Sequence, residues 1–177
     1  MGCRLFVVAL LVSSSWGVAQ GQELDPFDVS AATATIEEIG VPTVSYVSAL
    51  EEEARRLFAN GSCSPGAIEA LVVFAKHANW LSNLISIGLE PFYDAPADDR
   101  RAFEGLNELV SLERLGNEYR MKRNIAMVMQ AECYDASGDI ARAVALYHRA
   151  LELIDIDNVE WWMRARTGLY RIIEVGG

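Results

Sequence analysis

Few side chains in this sequence are of the types that carry out acid–base or metal chemistry near neutral pH. Its two histidines are His77 and His148, and neither belongs to a recognisable catalytic or metal-binding motif. His77 lies in an apolar segment, where a hydrogen-bonded core histidine is the main interpretation. We therefore predict no catalytic residue, no metal site and no cofactor. The alternative is a helical enzyme or small-ligand binder with a site around His77.

The acidic residues offer no clearer motif. Asp94, Asp98 and Asp99 lie close together, but their spacing lacks the glycine and the final glutamate of a calcium-binding loop. Asp98 and Asp99 instead suit the first turn of a helix, where the helix dipole favours negative charge. The sequence also contains no metalloprotease pattern, nucleophile elbow or glycine-rich phosphate loop.

The first 19 residues resemble a secretory signal. Arg4 precedes an apolar run over residues 5–12, and small residues follow up to Ala19. We expect cleavage after Ala19 and export to the periplasm or the extracellular space. An uncleaved anchor is the alternative, but the run is much shorter than the roughly 20 residues that cross a bilayer.

Two cysteines remain after the expected cleavage, Cys63 and Cys133. An exported compartment permits them to form a disulfide. Two buried free thiols are the alternative, because Cys133 falls within a predicted helix and packs as a small apolar residue. The sequence leaves both possibilities open.

The charge balance limits the classes of partner. The chain carries 25 acidic and 15 basic residues, a formal net charge of −10. Such a surface repels nucleic-acid phosphates and anionic lipids, and it favours neutral or basic partners. We therefore predict no nucleic-acid binding.

The distribution of proline, glycine and apolar residues divides the chain after its signal. Residues 20–42 contain Pro26, Gly40 and Pro42 without a sustained period, which predicts an extended arm, although 31–39 could form a short helix. From Thr43 onward the apolar residues recur at spacings of three and four. Residues 43–177 are therefore predicted to form one helical domain.

Capping residues and turns set the expected helix boundaries in that domain. Ser64-Pro65 predicts a helix start, with an end near Gly88. Lys76 in the middle of this apolar helix argues against a membrane span. Gly116-Asn117 predicts a break or kink before a helix that starts near Glu118, and Ser137-Gly138-Asp139 predicts a tight turn. Without any alternating strand pattern, the fold class is all-α, with about six helices in antiparallel hairpins.

The helices on either side of Gly138 carry the most informative pattern. With Asn124 as position 1, small and aromatic residues recur at set spacings: Ala131, Tyr134, Gly138, Ala143, Tyr147 and Ala150. This pattern resembles the tetratricopeptide repeat, a 34-residue helix–turn–helix unit. Alanines let two helix axes approach closely, and the neighbouring rings fill the space beside the contact. Met127, Gln130 and Asp155 depart from the family pattern.

One repeat length further on, Trp161 and Ala165 fit the next helix, whereas Arg164 and Gly168 do not. That helix resembles the one that closes such arrays. The resemblance covers about residues 124–173 and implies a right-handed α-solenoid. The alternative is an ordinary antiparallel helix pair that packs small residues against large ones.

The resemblance also implies a concave binding groove. Its positions in this sequence are Val128, Glu132, Asp135, Trp162 and Arg166. The basic residues expected of repeats that bind C-terminal carboxylates are missing from the helix of Asn124. The sequence therefore predicts an exported helical-repeat protein, not an enzyme, that binds a neutral or basic protein or peptide.

Overall fold

A computed structural model describes residues 30–60, 63–104, 106–155 and 157–174. The described residues form seven α-helices and no strand. The helices are α1 (Ser30–Ile39), α2 (Val44–Ala59), α3 (Pro65–Tyr93), α4 (Ala97–Glu104), α5 (Asn107–Ala136), α6 (Ile140–Leu153) and α7 (Val159–Ile172). The all-α prediction is confirmed. The expected signal over residues 1–19 lies outside the described residues.

Side chains next to the helix ends explain several of these boundaries. The hydroxyls of Thr43 and Ser64 accept hydrogen bonds from the backbone amides of Tyr46 and Ala67, both at 3.2 Å. These bonds satisfy amides that have no partner inside the helix. Gly138 has a φ of +81°, the left-handed conformation that glycine adopts without strain. The predicted start of α3 and the turn before α6 are confirmed.

Residues 30–39 are helical, which is the short helix that the sequence leaves open within the expected arm, and an ion pair joins Glu38 of α1 to Lys76 of α3. Two other predicted boundaries are wrong. Helix α3 continues past Gly88 and includes Pro91 in its last turn, where Leu89 is buried. Helix α5 passes through Gly116 without a break.

The long helices α3 and α5 pack against each other in opposite directions. Contacts pair Gly116 with Ile85, Arg123 with Asn79, and Gln130 with the carbonyl of Leu71. A Cβ added to Gly116 would lie 3.2 Å from Ile85 Cγ2. Glycine at this position therefore allows the two helices to approach closely and does not end α5.

Two hydrophobic clusters lie on different sides of α5. The first joins α2 and α3 to α5 around Leu71, Phe74 and Tyr119, and it reaches Met129 on α5. The second joins α5 to α6 and α7, and Trp161 packs against both clusters. The described helices therefore pack into one continuous body. None of them is both long and apolar enough to cross a bilayer.

Candidate functional site

The seam between α5 and α6 is built from the small residues that the sequence singles out. Ala131, Ala143 and Ala150 are completely buried and lie in one cluster with Tyr147, which is 1% exposed. Because an alanine side chain ends at Cβ, these positions let the helices pack closely. The expected contact between small and aromatic residues is present in the hairpin.

Val128 does not belong to the surface on which the sequence places it. Its side chain is completely buried in the same cluster, because an apolar residue on the side of α5 that faces α6 and α7 is stabilised by burial. As a direct contact for a partner, this prediction is wrong. Val128 supports the surface from beneath.

Glu132 and Asp135 face α7. Glu132 accepts two hydrogen bonds from Arg164, at 2.9 and 2.7 Å, and Asp135 pairs with Arg171. Paired bonds of this kind fix both position and orientation. The Arg164 guanidinium also lies 4.1 Å from the ring centroid of Trp161. Both predicted carboxylates are therefore engaged within the protein.

The order of these ion pairs gives the relative direction of the helices. Glu132 pairs with Arg164, 32 residues later, and Asp135 pairs with Arg171, 36 residues later. The residue that comes later on α5 therefore pairs with the one that comes later on α7. Helices α5 and α7 are therefore parallel, with α6 antiparallel between them. Helices α2 and α5 are related in the same way, because Ser48 contacts Tyr119 and Glu51 contacts Lys122.

A cavity of about 510 Å³ lies beside the two ion pairs. Tyr147 of α6 and Gly168 of α7 line it, together with the paired residues. Burial raises the pKa of Tyr147 to about 12, and the nearby Glu132 charge acts in the same direction. Because Gly168 has no side chain, the ring of Tyr147 can pack against α7 at this position. A Cβ there would lie 2.4 Å from Tyr147 Cζ.

The raised pKa of Tyr147 predicts a loss of stability in alkali. An unfolded tyrosine titrates near pH 10, so between about pH 10 and 12 only the unfolded chain loses this proton. The free energy of unfolding that this pKa difference contributes is fully present below about pH 10 and is lost as the pH rises through about 12. Urea unfolding should show wild type losing more stability than Tyr147→Phe above pH 10. Parallel pH curves for the two proteins would contradict this assignment.

Trp162 and Arg166 lie on the other flank of α7. Each is two residues from Arg164, about 200° around the helix. The Arg166 guanidinium lies 5.6 Å from the ring centroid of Trp162 and 4.7 Å from that of Tyr170. We call Trp162, Arg166 and Tyr170 the α7 platform. The structure thus separates the predicted carboxylates from the predicted aromatic and arginine residues.

Arg166 has no carboxylate partner among the described residues, although the chain contains 25 acidic residues. Its charge is held against two aromatic faces, an arrangement that stabilises a guanidinium. Next to the platform, Val159 is 57% exposed. Met163 is 41% exposed and lies between the platform and the cavity beside the ion pairs, whose wall it also lines. This flank of α7 therefore presents aromatic, apolar and cationic groups together.

A disulfide joins Cys63 to Cys133, with their Cα atoms 4.9 Å apart. Cys63 immediately precedes the cap of α3, and Cys133 is completely buried near the end of α5. Of the two possibilities that the sequence leaves open, the structure contains the bridge. It ties the loop after α2 to the α5–α6 hairpin.

The side chain of His77, on which the alternative site is centred, is packed within the protein. His77 is 5% exposed, its Nδ1 lies 2.7 Å from the Val73 carbonyl oxygen, and its ring contacts that of Tyr46 edge to face. Within the described part of the chain, no group of three or more His, Cys, Asp or Glu side chains is placed to hold a metal ion.

The sequence analysis does not assign three residues of this region to the site: Arg164, Arg171 and Tyr170. Arg164 and Arg171 are seven residues apart and so share one face of a helix, as Glu132 and Asp135 do on α5. The sequence does carry a signal for the two arginines, because each follows an acidic residue of α5 by about one repeat length. Tyr170, at four and eight residues from Arg166 and Trp162, continues their stripe.

Comparisons with known proteins give no relative for this chain. No protein-family model, no curated protein and no solved structure matches it.

Proposed function

We propose that this chain is an exported helical-repeat protein that binds a protein or peptide partner through α7 and acts as an adaptor or as a subunit of a complex. It is not an enzyme. The binding surface is the α7 platform, extended by Met163 and Val159. Glu132 and Asp135 serve it indirectly, because their ion pairs hold α7 in position.

The parallel packing of α5 and α7 carries this proposal. The two ion-pair separations of 32 and 36 residues bracket the 34-residue length of the tetratricopeptide repeat. An antiparallel α6 lies between them, and α2 and α3 form a similar pair upstream of α5. This order of helices supports a short, right-handed solenoid with α7 as its closing helix.

The composition of the platform supports a role in recognition. Tryptophan, tyrosine and arginine are the residues that most often dominate binding energy at protein interfaces. Arg166 is already positioned by two rings, so less side-chain entropy is lost when a partner binds. Exposed Met163 adds an adaptable apolar contact.

The charge of the chain indicates the character of the partner. A net charge of −10 attracts basic surfaces over long distances and repels acidic ones, whereas neutral surfaces are neither attracted nor repelled. Arg166 provides a local exception to this acidic surface. The partner is therefore a neutral or basic protein or peptide that places apolar groups, and at most a single carboxylate or carbonyl, against the platform.

Affinity capture with the full chain tests this proposal. We expect wild type to recover a partner in stoichiometric amount from its native compartment, and Trp162→Ala and Arg166→Ala to lose it. Truncating such anchors typically costs 2 kcal/mol or more, which is about 30-fold in affinity. Quantitative mass spectrometry of the captured protein measures the loss.

Arg142→Ala provides the matched control. Arg142, like Arg166, lies beside a ring, 5.3 Å from the centroid of Tyr134, but it is exposed and lies on α6. This variant should capture the partner as wild type does. Circular dichroism must show unchanged helicity in all variants, because Trp162 also packs against the core. Undiminished capture by Arg166→Ala would overturn the assignment of the platform.

A further inference from the structure

A cavity lies between the end of α3, the short helix α4 and the start of α5. Only residues 94–96 connect α3 to α4, so α4 lies close to the last turn of α3. The cavity measures about 460 Å³, and residues of all three helices line it. This volume is within the range of about 300–1,000 Å³ that is typical of sites for small molecules. A small molecule therefore suits it better than a protein segment.

The walls of this cavity are mainly apolar. Its apolar and aromatic lining residues are Leu89, Phe92, Tyr93, Ala97, Leu109 and Val110. Leu89 is buried, whereas Tyr93 and Val110 are 49% and 54% exposed. Covering exposed apolar surface with an apolar ligand removes it from water and favours binding. An apolar body therefore suits most of the cavity.

The α4 side of the cavity carries positive charge. Arg100 and Arg101 both line it. The guanidinium of Arg100 donates to the backbone carbonyl oxygen of Tyr93, with Nη1 3.5 Å from that oxygen, and forms no ion pair among the described residues. A guanidinium has five N–H donors. Arg100 therefore has donors to spare for an anionic acceptor.

Two carboxylates near the cavity bear on the choice of ligand. Asp98 pairs with Arg101 at 3.5 Å, but these side chains are 94% and 75% exposed, so water weakens the pair. Glu113 lines the cavity and is hydrogen-bonded to the side chain of Tyr93, whereas Arg100 contacts the backbone of that residue. The negative and positive groups therefore lie at different ends of Tyr93. An anionic group is favoured beside Arg100.

We propose that the cavity binds a small monocarboxylate with an apolar body, such as a medium-chain fatty acid. The carboxylate accepts hydrogen bonds from Arg100, because a planar guanidinium matches its two oxygens. Arg101 adds positive charge on the same helix. The hydrocarbon body lies against the apolar residues of α3 and α5. No residue of α7 lines this cavity, so the site is separate from the α7 platform and does not depend on the proposed function.

Titration calorimetry of the full chain tests the site with octanoate, octanol, octylammonium and acetate, at constant ionic strength and below micelle-forming concentrations. We expect saturable binding of octanoate, about fivefold tighter than octanol, the upper value for an ion pair that water can reach. Octylammonium should bind more weakly than octanol because Arg100 repels it. Acetate should show no saturable binding, because it lacks the apolar body. Adsorption to a chain of net charge −10 would instead favour octylammonium.

Three variants separate the charge from the apolar wall. Arg100→Gln should remove the preference for octanoate and leave octanol binding unchanged, which a general disturbance of the cavity would not do. Arg114→Gln is the matched control, because it removes an exposed arginine of α5 that does not line the cavity, and it should bind both probes as wild type does. Val110→Asp changes an exposed residue, so it should fold normally. Its charge in the apolar wall should weaken octanoate and octanol by about tenfold or more.

Several results would overturn the proposal. The first is the absence of saturable octanoate binding in wild type, and the second is octylammonium binding as tightly as octanoate. The third is a preference for octanoate that survives in Arg100→Gln, or an equal loss of octanoate and octanol in that variant. Undiminished octanoate binding by Val110→Asp would place the ligand outside the cavity.

Discussion

Replacing Cys63 with alanine should lower the free energy of unfolding by about 4 kcal/mol, because the bridge closes a loop of about 70 residues in the unfolded chain. A domain of this kind is stable by only about 5–15 kcal/mol, so the loss is large. Urea unfolding under oxidising conditions measures it.

The choice of Cys63 separates the bridge from core packing. Cys133 is completely buried, so its replacement would also change the packing of the second cluster, whereas Cys63→Ala leaves the Cys133 side chain in place. Wild type treated with a reductant should match Cys63→Ala. A loss below about 1 kcal/mol for both would contradict the stabilisation expected from loop closure.

Gly168→Ala is expected to destabilise the protein, although alanine favours helix formation over glycine by about 1 kcal/mol. The added Cβ would lie 2.4 Å from Cζ and 2.6 Å from the hydroxyl oxygen of Tyr147. That ring is 1% exposed and cannot turn away without disturbing the alanine seam. Overpacking of this kind costs about 1–3 kcal/mol, and a contact as short as 2.4 Å places the cost at the upper end. After the gain in helix propensity is subtracted, the net loss should be about 1–2 kcal/mol.

Gly88→Ala is the matched control for this substitution. Gly88 also lies within a helix, but apart from its chain neighbours and its own helix backbone, no atom of the described residues lies within 4 Å of a Cβ built there. Only the gain in helix propensity should remain, and thermal unfolding should show a stabilised protein. If the two variants shift the midpoint in the same direction, the close contact between Gly168 and Tyr147 is not what sets the packing of α7.

The local features of the fold could be predicted from the sequence. Ser64-Pro65 and Gly138 mark their boundaries through capping and backbone conformation, which depend on only a few neighbouring residues. The spacing of Ala131, Ala143 and Ala150 predicts a close helix contact for the same local reason. These residues lie where the pattern places them.

Whether a helix ends or continues at a glycine or proline could not be predicted here, because the outcome depends on residues distant in the sequence. Gly116 looks like a break in the sequence, but Ile85 of α3 packs onto it and makes glycine necessary within a continuous helix. Pro91 lies in the last turn of α3, where burial of Leu89 favours helix continuation over an early end. Neither partner can be identified from the local sequence.

The candidate site also could be predicted only in part from the local sequence. The repeat pattern identifies Trp162 and Arg166 as neighbours but assigns Val128 to the surface, where α6 and α7 in fact cover it. The ion pair between Glu132 and Arg164, which are 32 residues apart, also depends on the register between α5 and α7. Periodicity gives the face of one helix, whereas tertiary packing decides which faces remain exposed.

The affinity of the captured partner for wild type, Arg166→Lys and Arg166→Ala tests the docking role of α7 most directly. Lysine keeps the charge but loses the planar group that lies against Trp162 and Tyr170. The proposal predicts that both substitutions weaken binding by about tenfold or more, with alanine at least as damaging as lysine. Equal affinities for all three proteins would show that the partner binds elsewhere.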